Sequence, residues 1–301
     1  MFIRRLPKFE YHAPISLGEA LDHLSRHGDK AKVLAGGTDL LVSMKKREIV
    51  PEHLINLKGI QELKDIHYDQ KRGLEIGGLV TLGELERSTI VREKFSALWD
   101  AANVMAAPQI RSLATIGGNL CSAVPSADTA PPLVALGTTV TLAGKDGERT
   151  LLVEDFFKGP EASVLNPDEI LSHVSIPNPP ENSASAYLKL MRRNAMDLAL
   201  VGVAVSLMLD GRKRVCEEVR IALGAVAPTP IRALRAEQVL LNKEADEDLA
   251  MQAGKVAAQE ARPISDIRAS KEYRNGMVSV LTKRAVMTAL KRIKKNSSNR
   301  G

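Results

Sequence analysis

Two pairs of adjacent glycines stand where the chain could lay its backbone against a phosphate. The first lies in Lys32-Val33-Leu34-Ala35-Gly36-Gly37-Thr38-Asp39, a short apolar run followed by two glycines and the opening of a helical pattern. Without Cβ atoms, glycine N–H groups can approach phosphate oxygens closely, and a helix that starts just beyond adds its positive end. The segment is not GxGxxG, and no Lys-Ser/Thr pair closes it as in a P-loop; a plain tight turn from strand to helix accounts for it equally well. The second pair, Thr115-Ile116-Gly117-Gly118-Asn119-Leu120, is flanked by hydroxyl and amide side chains, and its loop runs on through Ser122, Pro125 and Ser126 to Asp128. Two such loops facing each other would clamp one diphosphate. Asp128 would then accept a hydrogen bond from a ribose or ribityl hydroxyl, or else cap a helix before Leu133-Val134-Ala135-Leu136.

Other chemistries find less support. No Ser-His-Asp order, HExxH motif or paired catalytic carboxylates occur, so the residues of interest are binders and no catalytic residue is expected. The histidines, among them His12, His53, His67 and His173, read as scattered polar positions without metal spacing, and no metal is expected. Cys121 and Cys216 form no CxxC or CxxH pattern and read as reduced thiols of a cytoplasmic protein. Lys189 reads either as a donor to a ligand edge or as a surface salt bridge.

The elements that must hold these loops follow from periodicity and punctuation. Ser16 and Glu19 form a capping-box pattern before a helix over roughly 16–27, and the first glycine pair follows a strand and precedes a helix running toward Lys46. With a strand at 53–57, this alternation predicts a small sheet of parallel character over residues 1–60. Strands are expected at 74–79, 134–143, 150–153 and 170–176, and helices from Thr81 and over 92–106; the composition of 114–128 predicts a loop. This middle region reads as antiparallel. Pro177-Asn178-Pro179-Pro180 stops helix and central strand alike and places a domain boundary. Strands at 186–192, 199–209 and 215–224 follow, then helices at 232–241, 246–260 and 272–293.

Composition bounds the rest. A chain of 301 residues, 44% of them hydrophobic, can bury the cores of two domains. The formal charge of +6 suggests an anionic partner, yet Lys291, Arg292, Lys294, Lys295 and Arg300 carry all but one of those charges, which reads as a solvated tail. Aromatic residues at 3% leave few rings on which bases could stack, arguing against nucleic acid. The start, Met1-Phe2-Ile3-Arg4-Arg5-Leu6-Pro7, lacks the apolar stretch of a signal peptide, and the run near Ala199–Leu209 is too short for a membrane span.

In combination, Ala35-Gly36-Gly37-Thr38-Asp39 and Thr115-Ile116-Gly117-Gly118-Asn119 resemble the paired signatures of the FAD-binding subunits of molybdenum hydroxylases, such as the medium chain of carbon monoxide dehydrogenase and the flavin domain of xanthine dehydrogenase. The resemblance continues through Ser126-Ala127-Asp128-Thr129-Ala130-Pro131-Pro132, Pro167-Asp168-Glu169-Ile170-Leu171, Tyr187-Leu188-Lys189-Leu190-Met191-Arg192-Arg193, Gly224-Ala225-Val226-Ala227-Pro228-Thr229-Pro230 and Tyr273-Arg274, nearly the whole chain. It implies an α+β fold. A two-lobed FAD-binding domain over 1–178 joins a small βαβ lobe (about 1–60) to a larger mixed or antiparallel lobe (61–178), of vanillyl-alcohol-oxidase-like form. A C-terminal domain over 179–301 adds a small antiparallel sheet and a helix bundle.

Carried over residue by residue, the resemblance puts the FAD pyrophosphate on Lys32, Val33, Leu34, Ala35, Gly36, Gly37, Thr38 and Asp39 and on Thr115, Ile116, Gly117, Gly118 and Asn119, with Ser122 in the same loop. Contacts to ribityl or adenosine groups fall on Asp128, Ile170 and Leu171, Lys189 lies near the isoalloxazine, and Met105 matches by its distance from the second glycine pair. The implied partners are a molybdenum-cofactor large subunit and a [2Fe-2S] small subunit on separate chains, with NAD or another acceptor taking the electrons. Two departures stand out: Asp197 is followed by Leu198 where many relatives carry an aromatic residue over the flavin, and the stretch from Asn119 to Asp128 has no room for an extra iron–sulfur insertion. The rival readings are a self-sufficient FAD oxidase of the vanillyl-alcohol oxidase type and a non-catalytic nucleotide-binding module.

Overall fold

The computed structural model describes residues 5–298; Met1–Arg4 and the tail's Arg300 lie outside them. The chain begins with β1 (Glu10–His12), α1 (Leu17–His27), β2 (Ala31–Leu34), α2 (Leu40–Lys46) and β3 (His53–Asn56), and the three strands pair in parallel in the order β1-β3-β2. Ser16 caps α1 by accepting from the Glu19 amide, while the Glu19 carboxylate reaches past the cap to the Ile15 amide at 2.9 Å. Ala20, Leu21 and Leu24 then pack on Ala31 and Ile55 of the sheet and on Leu57 just beyond β3.

The second lobe comprises β4 (Ile66–Asp69), β5 (Gly73–Gly77), α3 (Leu82–Arg87), α4 (Thr89–Lys94), α5 (Ser96–Val104), α6 (Pro108–Arg111), α7 (Ile116–Cys121), α8 (Ala130–Ala135), β6 (Thr139–Gly144), β7 (Gly147–Leu152), β8 (Phe157–Gly159), β9 (Ala162–Ser163) and β10 (Ile170–Ile176). Five of these strands form an antiparallel sheet, β4-β5-β10-β6-β7. Thr81 and Glu84 complete a reciprocal capping box at the start of α3.

Two expectations fail here. The stretch 114–128 is not all loop: Thr115 caps α7 through the Gly118 amide, and Ile116 and Leu120, four residues apart and fully buried, outweigh the glycines between them. Nor is 134–143 one strand. Pro131 and Pro132 sit in the first turn of α8, where a missing N–H costs nothing, and Gly137 at φ +68 ends that turn of chain before β6.

Leu79, Ala143 and Ile170 of this lobe enter the same apolar cluster as α1 and Ile55, which joins the two lobes.

The C-terminal part is a meander, β11 (Ser183–Leu190), β12 (Val201–Leu209), β13 (Cys216–Gly224) and β14 (Ile231–Arg232), followed by α9 (Leu234–Leu240), α10 (Glu247–Glu260) and α11 (Lys271–Ser298). Its sheet is covered on both faces. Tyr187, Ala204 and Ala222 meet the core of the second lobe, and Val203, Val205, Ile221 and Leu223 meet the C-terminal helices. Double burial explains why β12 reads as an unbroken apolar run. The basic tail is corrected as well: over 291–295 it is the end of α11, Ile293 is buried, and Arg292 bonds both carboxylate oxygens of Asp100 in α5 and the Ser185 carbonyl. Among the described residues no helix is long and apolar enough to cross a membrane.

Candidate functional site

The first glycine loop leaves β2 at Leu34, whose side chain is buried, and turns at once toward the second lobe. A Cβ on Gly36 would stand 2.2 Å from the Leu113 carbonyl oxygen, so only glycine lets the lobes close to this distance. Gly37, at φ +79, adopts the left-handed conformation that glycine takes without cost. The turn feeds α2 through a bond from the Leu41 amide to the Gly37 carbonyl. Among the described residues, the amides of Gly36, Gly37, Thr38 and Asp39 donate to no protein group. Four successive donors in a partly exposed turn make a concavity for an anion.

The second loop lies beside it: a Cβ on Gly118 would be 4.0 Å from the Ala35 Cβ. Its amides, however, are already engaged. Ile116 donates to the Val80 carbonyl, Gly117 to Gly78, Gly118 to the Thr115 hydroxyl and Asn119 to the Thr115 carbonyl. Gly117 is required by packing, because a Cβ there would meet the Gly78 carbonyl oxygen at 2.6 Å. What this loop can offer a ligand is therefore side chains. Asn119 Oδ1 accepts from Thr129 Oγ1 at 2.5 Å, which leaves its amide nitrogen without a protein partner among the described residues, and the Ser122 hydroxyl donates to the Asn119 carbonyl.

Asp128 sits at the end of that loop, 5% exposed. Tyr187 donates its hydroxyl to Oδ1 at 2.8 Å, and Lys189 donates Nζ to Oδ2 at 2.8 Å. The Lys189 side chain is 1% exposed, so its ion pair is buried rather than superficial. Burial pushes the Asp128 carboxyl up, opposed by the Lys189 charge and the two hydrogen bonds, and burial together with Asp128 pushes the Tyr187 hydroxyl well above its ordinary range. Gly202 on the adjoining strand clears room for the ring, since a Cβ there would lie 2.7 Å from the Tyr187 hydroxyl. Tyr187 is a residue to which sequence reasoning gave no role; strand alternation, which puts Tyr187 and Lys189 on one face, was the available signal.

The remaining expected residues fall around this centre. Val33 and Leu34 lie on β2 with their side chains in the first lobe's apolar clusters, and Lys32 is exposed on the same strand. Ile170 and Leu171 open β10 with side chains buried in separate cores, so what they can present is backbone. Met105 caps α5; its carbonyl accepts from Arg111, whose guanidinium also grips Glu86 at two points. Ala106 next to it accepts the Met196 amide, which ties the 191–199 loop across Met105. In that loop Asp197 receives the amides of Arg192 and Arg193, and Leu198 is 53% exposed at its rim. Burial pushes the thiols up to about 12 for Cys121 and about 11 for Cys216, which leaves both as structural groups.

Four of the six histidines are not scattered. His12, His23, His27 and His53 gather on the first lobe, because β1 and β3 are neighbours and α1 carries two histidines one turn apart. The four-residue spacing of His23 and His27 within the expected helix was the signal overlooked.

Residues 7–179 match the family described as the FAD binding domain in molybdopterin dehydrogenase, and residues 186–289 match the CO dehydrogenase flavoprotein C-terminal domain. The carbon monoxide dehydrogenase medium chain of Hydrogenophaga pseudoflava is 35% identical over 94% of this chain and 97% of its own. A putative xanthine dehydrogenase FAD-binding subunit of Escherichia coli (strain K12) is 34% identical over 93% and 95%. Among solved structures, a carbon monoxide dehydrogenase from Hydrogenophaga pseudoflava superposes with a TM-score of 0.91 at 35% identity, covering 96% of this chain and 99% of that one. Quinoline 2-oxidoreductase from Pseudomonas putida 86 gives 0.88 at 31% identity, covering 95% and 98%. By both domain matches and by similarity along nearly its full length, the chain belongs to the family of FAD-binding subunits of the molybdenum hydroxylases.

Proposed function

We propose that this chain is the electron-transferring subunit of a multi-subunit molybdenum hydroxylase: it takes electrons from the [2Fe-2S] clusters of a small partner subunit and delivers them to NAD or another acceptor. A large subunit with the molybdenum cofactor would act on the substrate. The observation that carries this reading is the run of four undonated amides at Gly36–Asp39 set against the second glycine loop, a donor set that fits a diphosphate. FAD, when bound, supplies the redox chemistry, and the protein's part is to hold and tune it.

In this reading the labour is divided among the chain's own elements. The amides of residues 36–39 bind the pyrophosphate, with the Asn119 amide group and the Ser122 hydroxyl as side-chain contacts. The buried Asp128–Lys189 pair fixes the end of the second loop, on the sugar and flavin side of the site. The 191–199 loop, anchored through Asp197, excludes water from one edge of the site, with Leu198 in the place of an aromatic cover. The chain divides in this scheme into the FAD-binding portion 1–178 and the portion 179–301, which seats Asp128. The work is done in the cytoplasm with both cysteines reduced.

Native co-purification followed by an absorbance spectrum and metal analysis tests the reading. Yellow protein associated with molybdenum and iron–sulfur chains is expected. Flavin without any such partner, or reduction of the purified chain alone by an alcohol or amine, would overturn the subunit assignment in favour of a self-sufficient oxidase.

A further inference from the structure

The four histidines of the first lobe form a group outside the residues assigned above to the flavin. His12 ends β1, His53 opens β3, and His23 and His27 lie on α1. His12 Nε2 and His53 Nδ1 are 3.2 Å apart, and the His27 and His53 rings stack at 3.6 Å between centroids. One ring nitrogen from each of His12, His27 and His53 falls within 4.8 Å of the other two. Glu10 adds a carboxylate, with Oε2 3.4 Å from His53 Nδ1 and Oε1 3.9 Å from His12 Nε2. The fourth ring, His23, lies 4.3 Å from His12, and its Nδ1 is buried without a hydrogen-bond partner.

We propose that His12, His27 and His53, with Glu10 as a fourth ligand, bind a divalent transition ion of the zinc class that clips α1 to the β1–β3 edge of the lobe. Three imidazoles so close bring several ring nitrogens into one small volume, and a single shared proton satisfies only one of these contacts. An ion with nitrogen ligands at about 2.0–2.1 Å in tetrahedral array spaces those ligands about 3.3 Å apart, near the His12–His53 separation found here. Imidazole with one carboxylate suits zinc, nickel or cobalt over magnesium or calcium. The ligands come from three elements that are separate in sequence, so the ion acts as a crosslink. His53 sits at the opposite end of β3 from Asn56, the residue beside Leu34 and the glycine turn, so the clip and the phosphate loop occupy different ends of one three-stranded sheet.

The test uses the full chain without a histidine tag, stripped with chelator and titrated with zinc chloride alone. One equivalent per chain at micromolar affinity or tighter is expected, together with a rise in thermal midpoint on zinc addition. Cobalt chloride in its place should give the intense visible bands of a tetrahedral site. His27→Ala and His53→Ala should each weaken zinc binding at least tenfold while flavin content stays at the wild-type level; His27→Gln serves where the alanine variant folds poorly. Substoichiometric zinc in the wild type, or equal zinc binding by wild type and the His12→Ala/His27→Ala double variant, would overturn the site.

Discussion

The two glycine pairs look alike in sequence and do opposite jobs in the fold. At Gly36-Gly37 the amides donate to no protein group among the described residues and stay open to a ligand, while the Gly37 carbonyl starts α2 and the Leu113 carbonyl bars a side chain at Gly36. At Gly117-Gly118 the amides from Ile116 to Asn119 already hold the second lobe together, and the Gly78 carbonyl leaves no room for a side chain at Gly117. A glycine pair near a phosphate site can thus be a donor array or a packing joint. Only the hydrogen-bond ledger of the surrounding backbone tells which.

The largest effect should come from the support of the second loop. Lys189→Met leaves Asp128 buried without its charge partner, and a loss of about 3–5 kcal/mol in denaturant unfolding is expected. Adding Asp128→Asn should recover part of that loss, because the two sites are coupled. Next comes Gly36→Val, which forces the first loop away from Leu113: flavin retention should vanish at a stability cost of about 1–3 kcal/mol. Thr115→Val removes only the cap of α7, for about 1 kcal/mol, and should change flavin affinity by no more than a few fold. Should Thr115→Val strip the flavin as fully as Gly36→Val, the contrast between the loops collapses.

The smallest effect belongs to a half-exposed ion pair at the start of β10. The hydrogen bond from Arg149 holds the Glu169 carboxyl below its usual range. A depressed carboxyl contributes stability above its unfolded value of about pH 4.3 and loses that contribution as pH falls through the folded value. Because the Arg149 side chain is 43% exposed, Arg149→Met should cost less than about 1 kcal/mol at neutral pH, and that cost should shrink progressively as pH falls below the ordinary carboxyl range, with flavin binding unchanged.

Much of the scaffold was legible because its signals are local. The capping box at Thr81, the parallel start, the antiparallel middle and the individual C-terminal strands and helices follow from spacing within a few residues, while the pairing of those strands came from the family resemblance. What escaped depends on the partners of a residue. The helix at Ile116 was hidden by glycines whose propensity is overruled by burial, and the strand expected at 134 lost to a proline-initiated helix. In the site, the glycine loops were visible as motifs, but the saturation of one of them was not, since Val80 and Gly78 lie far away in sequence. Tyr187 and the histidine group escaped for the same reason: each is assembled across elements.

The bond from Arg292 to Asp100 joins residues 192 positions apart. During synthesis α5 is made long before α11, so Asp100 and the Ser185 carbonyl wait without their guanidinium until almost the last residues have emerged. Contacts of such long range form late and slowly. A ribosome that stops short of Arg292 therefore releases a chain that can already pack β11 on α5 through Tyr187 and Ser185 but lacks the clasp that α11 adds last.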